Sequence, residues 1–333
     1  MNPLEAYLAV YRIRRVELEI SERYHPDEGD APMRTPTHLS VGSEHVAVAV
    51  ADAVPPGSHA YSTHRSHAHY LAWGGDLTAM VAELHGRSTG CADGWGGSMH
   101  LIDEAAGFMG TSAIVGSSVS LAVGDAFARQ LESEAWAQVG GTVLIPDPPT
   151  LSPERDAVTV AFAGDAVPET GQFWEALNFA ALKQLRLIIV IENNGLATST
   201  ILDDRQSFHH GPMAALQEAE DDRYSFLDFP TYAETASEVE RLIAQDVWPI
   251  VISADVERFA EHVGPAIDDR IGTVDDQFEA MQRAALTFAA SPFGEAYAAM
   301  IGDTTATIKQ EVARVFDEMT DFEKHPWAKG MNE

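Results

Sequence analysis

Two short apolar runs, VTVAFAG ending at Gly164 and RLIIVIE ending at Glu192, flank a segment in which Phe173, Ala176, Leu177, Ala180 and Ala181 fall at i, i+3, i+4, i+7 and i+8. Short runs built of β-branched and small apolar residues suit strands buried on both faces, and the repeat between them is that of an amphipathic helix. A strand, a helix and a strand in succession imply parallel pairing through a right-handed crossover. The expected fold is therefore α/β, a parallel central sheet with helices on both faces.

The rest of the chain continues that alternation. A helix is expected over 4–22, followed by a polar, Pro-containing loop from His25 to Pro36. The Ala- and Val-rich run from Gly42 to Val54 suits a buried helix, closed by Pro55, Pro56 and Gly57. Short helices are expected over Leu77 to His85 and Ser117 to Leu131, with a Pro-rich surface excursion from Ser133 to Arg155. The glycine-dense TGCADGWGGSMH between them cannot stay regular for long. SEVERLIAQ reads as a helix before the strand WPIVISA, and helices near Val274 to Ala290 and Thr307 to Met319 make a helical C-terminal region over 270–330. One domain over 1–333, with its core at about 36–265, accommodates these elements; there is no internal repeat.

Composition narrows the function. With 333 residues, 45% of them hydrophobic, the chain can bury a large core, which excludes disorder as its main state. Fifty-one Asp and Glu against 21 Lys and Arg, a net charge of −30, repel phosphate backbones and anionic membranes, so no nucleic-acid or membrane partner is expected. Lysine occurs only at Lys183, Lys309, Lys324 and Lys329, a bias that fits a salt-adapted host or a GC-rich genome equally. The single Cys91 excludes an internal disulfide and reads as a packed residue rather than a nucleophile. The longest aliphatic run, Leu187 to Ile191, is too short to cross a bilayer, and Arg and Glu interrupt the N-terminal apolar positions, unlike a signal peptide. A cytoplasmic protein is expected.

The chemistry concentrates at Gly164-Asp165 and Asn193-Asn194-Gly195, which end the two strands. In an open parallel sheet both ends lie on the same edge, where ligands bind. A carboxylate and an amide oxygen brought together there are hard ligands suited to Mg²⁺ or Ca²⁺, and Mg²⁺ usually completes its octahedron with water and phosphate oxygens. A Gly-Asp pair by itself is as well explained by a tight turn with a helix-capping aspartate.

Read with its surroundings, this spacing resembles the thiamine diphosphate signature, Gly-Asp-Gly followed after some thirty residues by Asn-Asn. HLSVGSEHVAVAVADAV, STHRSHAH, GGSMH, AIVGSSVSLAVG, GDAVPETGQFWEALNFAAL and ENNGLATST together resemble the α subunit of the decarboxylating component of 2-oxo acid dehydrogenases, the pyruvate and acetoin type. The resemblance runs from about Leu4 to Ala260 and more weakly beyond. It implies a thiamine diphosphate-binding fold in which Asp165, the Asn194 side chain and the Leu196 carbonyl ligate Mg²⁺ beside Gly164, and Arg65 contacts the diphosphate. It puts His64 where many relatives carry a cofactor-contacting tyrosine, and the backbone at Ala113 and Val115 against the aminopyrimidine edge. His67 and His262 take recurring histidine positions, His262 facing the diphosphate channel, and both suit proton transfer or substrate orientation.

Three departures matter. Ala166 replaces the third residue of Gly-Asp-Gly, from which a small backbone shift is expected; Ala113 replaces a common glycine; and Val263 replaces the serine phosphorylated in mitochondrial relatives. His59, His69, His209 and His210 are read as solvated or capping side chains, and Asp203-Asp204, Glu218 to Asp222 and Asp268-Asp269 as solvated faces that could alternatively dock a basic partner domain. The GGSMH turn is read as a cofactor-site or interface segment.

In the family the activating glutamate belongs to a separate β subunit, and nothing here resembles the second, pyrimidine-binding domain. The resemblance therefore implies an αβ or α₂β₂ enzyme, with a lipoyl acyltransferase or carrier protein as a further partner. Three alternatives stay open. Acetoin could replace a 2-oxo acid as the bond to be cleaved, since STHRSHAH is especially like the acetoin-type members. The stretch Glu261-His262-Val263-Gly264-Pro265 departs from the Arg-Gly-His of the dehydrogenases and admits a carboligase or transketolase-like enzyme, and Ala166 is compatible with a non-catalytic regulatory subunit that kept the fold.

Overall fold

The two apolar runs do pair, and they form the centre of a six-stranded, wholly parallel sheet. The computed structural model describes residues 1–24, 32–33, 35–138, 156–207, 211–219, 221–266, 268, 279, 281–283 and 300–319. The described elements are α1 (Pro3–Arg23), α2 (Glu44–Ala53), β1 (His59–Ser62), α3 (His67–Ala72), α4 (Leu77–Leu84), β2 (Phe108–Thr111), α5 (Ser117–Gln138) and β3 (Thr159–Gly164). They continue with α6 (Gly171–Lys183), β4 (Leu187–Asn193), the hairpin β5 (Leu196–Ala197) and β6 (Thr200–Ile201), α7 (Pro212–Glu218), β7 (Tyr224–Leu227), α8 (Tyr232–Gln245), β8 (Ile250–Asp255) and α9 (Met300–Glu318).

The sheet order is β2-β1-β3-β4-β8-β7. The chain runs outward from β1 to β2 on one side and from β3 toward β8 on the other, so the order reverses between β1 and β3, the kind of switch point where α/β sheets bind ligands. The register keeps the strand ends level: Gly164 lies opposite Glu192, Glu192 opposite Ala254 and Asn193 opposite Asp255. That register turns a separation of nearly thirty residues between Asp165 and Asn194 into adjacency.

Burial on both faces explains the unbroken apolar strands. Val158, Val160, Phe162, Ile188, Val190, Ile250 and Ile252 point into one core with α1, α2 and α8, while Ala161, Ala163, Ile189, Ile191 and Val251 point into another with α5 and α6. Local chemistry sets the helix starts: Asn2 and Glu5 form a capping box for α1, Thr231 and Glu234 one for α8, and the Thr170 side chain accepts from Phe173 N at α6.

Several sequence expectations change. The short strands β1, β2 and β7 went unread. Ser133 to Gln138 continues α5 rather than starting an excursion; 139–155 lies outside the described residues, as do most of the loop 25–36 and of the helix expected at 274–290. Among the described residues no helix is long and apolar enough to cross a membrane.

Candidate functional site

Residues at the carboxyl ends of β1, β2, β3, β4 and β8 open onto one cavity of about 260 Å³. Ten of the sequence candidates meet in its wall: His64 and Arg65 after β1, Ala113 and Val115 after β2, Gly164, Asp165 and Ala166 at β3, Asn194 and Leu196 after β4, and His262 after β8.

Asp165 is 3% exposed. Burial lifts its carboxyl above the ordinary aspartate range, and the Arg205 guanidinium, which donates to it and to Glu169, opposes that lift. Gln206 Nε2 adds bonds of 3.3 Å to the Asp165 carbonyl and 2.7 Å to Glu169 Oε1. Across the register, Asn194 Oδ1 accepts from Leu196 N at 3.0 Å, closing an Asx turn through Gly195 at φ 70, a conformation that glycine adopts without steric cost. Ala166 has φ −83 and ψ −13, ordinary right-handed backbone, so no glycine is required there and the methyl forces no distortion.

Basic groups line the same cavity. Arg65 is held by the carbonyls of Leu39 and, at 3.3 Å, His262. Arg258, 2% exposed, pairs with Asp268 at 2.8 Å and donates to the Thr198 carbonyl at 3.1 Å. Thr198 itself sits at φ 56, an uncommon conformation for a β-branched residue, on the cavity wall. Burial holds the imidazoles of His64 and His262 down at about 4, helped by Arg65, then by His262 at the first and Arg258 at the second. His38 is pushed down to about 2 by burial first and then by His64 and Arg65. All three rings are neutral at pH 7.

His67 does not join them. It is fully buried, with Nδ1 3.1 Å from Glu17 and Nε2 2.8 Å from Ser98, so both ring nitrogens are committed to tying α1 to the segment after the Gly-rich loop. That loop is organised by Glu83, whose carboxylate accepts from the backbone N–H groups of Ala92, Gly94, Gly96 and Gly97 at 2.7–2.9 Å. A Cβ on Gly90 would stand 2.3 Å from Glu83 Oε2, and one on Gly97 2.2 Å from Thr35 Cγ2. The glycines are dense here because the chain wraps a buried carboxylate, and the wrap delivers Met99 to the cavity.

Other expectations are corrected by burial. Asp268 is 3% exposed rather than on a solvated face. His69 is buried, bonded to Ser62 Oγ at 2.8 Å and 3.3 Å from Glu192, while His59 pairs with Asp125 at 2.9 Å. Reading the sequence missed His38, Glu192 and Arg258 as cavity residues. His38 opens the segment HLSVGSEHVAVAVADAV, and Arg258, four residues before His262, lies within the stretch from Leu4 to Ala260 that carries the resemblance.

The donor set fits a metal-diphosphate. Asp165 and Asn194 supply hard oxygens, Arg65 and Arg258 supply fixed cations, and His38 Nδ1 and Arg258 Nε are buried without a hydrogen-bond partner. The profile of the dehydrogenase E1 component family matches residues 11–214. The α subunit of an acetoin:2,6-dichlorophenolindophenol oxidoreductase from Cupriavidus necator is 32% identical over 267 residues, 78% of this chain and 72% of that one. The pyruvate dehydrogenase E1 component subunit alpha of Zymomonas mobilis is 37% identical over 198 residues, 59% of this chain and 49% of its own. The Bacillus subtilis acetoin:2,6-dichlorophenolindophenol oxidoreductase α subunit is 37% identical over 163 residues, 49% of this chain and 43% of its own. The chain thus spans about half the length of the pyruvate dehydrogenase relatives it matches. With a family match over more than half its length and a relative above 30% identity across most of both chains, the protein belongs to the dehydrogenase E1 component family and is α-subunit-like within it.

Proposed function

We propose that this chain is the diphosphate-anchoring α-type subunit of an enzyme that uses thiamine diphosphate and Mg²⁺ to cleave the bond beside a carbonyl, in a 2-oxo acid or acetoin, and passes the acyl or hydroxyalkyl unit to an acceptor. The observation that carries the reading is the meeting of Asp165 and Asn194 with Arg65 and Arg258 in one cavity at the carboxyl edge of the sheet. A metal-diphosphate needs both halves: hard oxygens for the cation and guanidinium groups for the phosphate oxygens.

On this reading Asp165, the Asn194 side chain and the Leu196 carbonyl hold Mg²⁺, Arg65 and Arg258 hold the diphosphate, and the backbone at Ala113 and Val115 meets the aminopyrimidine. Bound thiamine diphosphate supplies a carbon acid whose conjugate base adds to the carbonyl and takes up the electron pair released on cleavage. His64 and His262, neutral at pH 7, orient the reacting groups by hydrogen bonding and accept protons only transiently, because burial disfavours their cationic forms. The second cavity carboxylate, Glu192, lies beside His69 at the end of β4. We therefore assign the glutamate that activates the pyrimidine to a β-type subunit, in an αβ or α₂β₂ assembly, and the acceptor to a lipoyl acyltransferase or carrier protein. The names of two relatives favour acetoin as a substrate.

The test is titration of thiamine diphosphate with Mg²⁺ into the full chain, alone and with a candidate β-type subunit added. Asp165→Asn is expected to weaken Mg²⁺-dependent binding at least about 100-fold, since losing even an outer-shell partner of a metal site costs about 10–100-fold. Retained tight binding by the folded variant overturns the reading.

A further inference from the structure

Three imidazoles from separate parts of the chain meet in the wall of the cavity: His38 before α2, His64 after β1 and His262 after β8. Their ring centroids stand 4.6 Å apart for His38 and His64, 4.9 Å for His38 and His262, and 5.3 Å for His64 and His262. The rings meet edge to face at 67–78°, a propeller rather than a stack. One nitrogen of each lies within 4.8 Å of the other two. His38 is 4% exposed, and its Nδ1 is buried without a hydrogen-bond partner.

We propose that His38, His64 and His262 form a binding site for a borderline transition-metal ion, Zn²⁺ foremost, held by three ring nitrogens with its fourth position open to the cavity. Three histidines with one open position are a recurrent zinc arrangement. Bonds of about 2.0–2.1 Å in a tetrahedron put ligand nitrogens about 3.3–3.4 Å apart, so closing from 4.8 Å takes side-chain rotations of about an ångström or less each. The rings are neutral at pH 7, the form that ligates a metal.

Two guanidinium groups stand near, but neither leaves an uncompensated charge. Arg258 pairs with Asp268, and the carboxylates of Glu17 and Glu192 act on Arg65. The site is chemically distinct from the oxygen set at Asp165 and Asn194: imidazole suits zinc, copper and nickel, whereas Mg²⁺ takes carboxylate, carbonyl and water. The proposal goes beyond the cofactor reading: its metal and its nitrogen ligands differ from the Mg²⁺ set at Asp165, Asn194 and Leu196, although His64 and His262 also face the cofactor on that reading, and Co²⁺ binding without thiamine diphosphate tests it separately.

Co²⁺ is the probe, since Zn²⁺ has a filled d shell and is spectroscopically silent. Titrated into the full chain without thiamine diphosphate and with excess Mg²⁺, Co²⁺ is expected to give the visible absorption of a four- or five-coordinate ion at one per chain. Zn²⁺ should displace it and Mg²⁺ should not. His64→Ala and His262→Ala, both at less buried positions than His38, are each expected to weaken Co²⁺ binding at least about 100-fold. His85→Ala, outside the cavity wall, should bind as the parent does. Thermal melts establish that each variant is folded. Absence of the visible band, or affinity unchanged in both folded cavity variants, overturns the proposal.

Discussion

The Arg205 guanidinium donates through Nη2 to Oδ2 of Asp165, a bond that spans 40 residues of chain and caps the carboxylate at the end of β3. The same group reaches Glu169 through Nη1, and its side chain is only 10% exposed. A fixed cation thus neutralises a buried carboxylate that is otherwise suited to a metal.

On the proposed reading, Arg205 is the competitor that an incoming cation would displace. Arg205→Gln keeps a hydrogen-bond donor and removes the charge, so Mg²⁺-dependent binding of thiamine diphosphate is expected to tighten by about tenfold, or about 1.4 kcal/mol. That is at the low end of coupling energies for close charge pairs, as suits a pair that the metal partly replaces. Calorimetry of the two proteins side by side checks it. Weaker binding in the variant means that Arg205 helps to hold the ligand.

Glu83 organises the Gly-rich loop through charge-assisted bonds to the N–H groups of Ala92, Gly94, Gly96 and Gly97. Glu83→Gln removes the charge and turns an acceptor oxygen into a donor facing other donors. A loss of about 2–4 kcal/mol is expected, given about 1.5–3 kcal/mol for each hydrogen bond to a charged group and partial relaxation of the loop. Hydrogen exchange locates the effect: those four amides should lose protection while the β3 and β4 amides keep theirs.

Which parts of this were legible in the sequence follows from burial. Strands β3, β4 and β8 lie inside the sheet and carry runs of apolar residues that nothing else explains. Strands β2 and β7 lie at its edges, have four residues each, and include polar or glycine positions such as Ser225 and Gly110, so periodicity had too little to act on. At the site, Asp165 and Asn194 were legible because strand ends share an edge. The separation of His67 from the cavity was not: its neighbours Glu17 and Ser98 lie 50 and 31 residues away, and only tertiary packing shows that they use both ring nitrogens. Asp268 was misread for the same reason, since an acidic doublet looks solvated until its buried arginine is known.

That buried pair carries the next prediction. Arg258 and Asp268 are 2% and 3% exposed and 2.8 Å apart. Asp268→Ala leaves a buried guanidinium without its counter-charge, and a loss of about 3–5 kcal/mol is expected in urea unfolding at unchanged m. Replacing both with apolar residues, Arg258→Met with Asp268→Leu, should recover much of that stability while abolishing binding of the diphosphate. A small effect of Asp268→Ala would mean that water reaches Arg258.

The last prediction concerns acid. Burial, followed by Arg65 and then by His262 or Arg258, depresses His64 and His262 from 6.5 to about 4. Between those values the unfolded chain binds protons at both positions that the folded chain does not. Stability therefore rises with pH across this window, is fully present above about 6.5, and is lost as pH falls toward 4. Ordinary carboxylates titrate mostly below about pH 5, so the interval from about 5 to 6.5 isolates the histidines. The double variant His64→Asn, His262→Asn cannot take up these protons. Its melting temperature is expected to change less than that of the parent between pH 6.5 and 5, and the difference between the two curves removes the contribution of every other titrating group. Parallel curves mean that solvent reaches both rings and that the cavity does not hold them neutral.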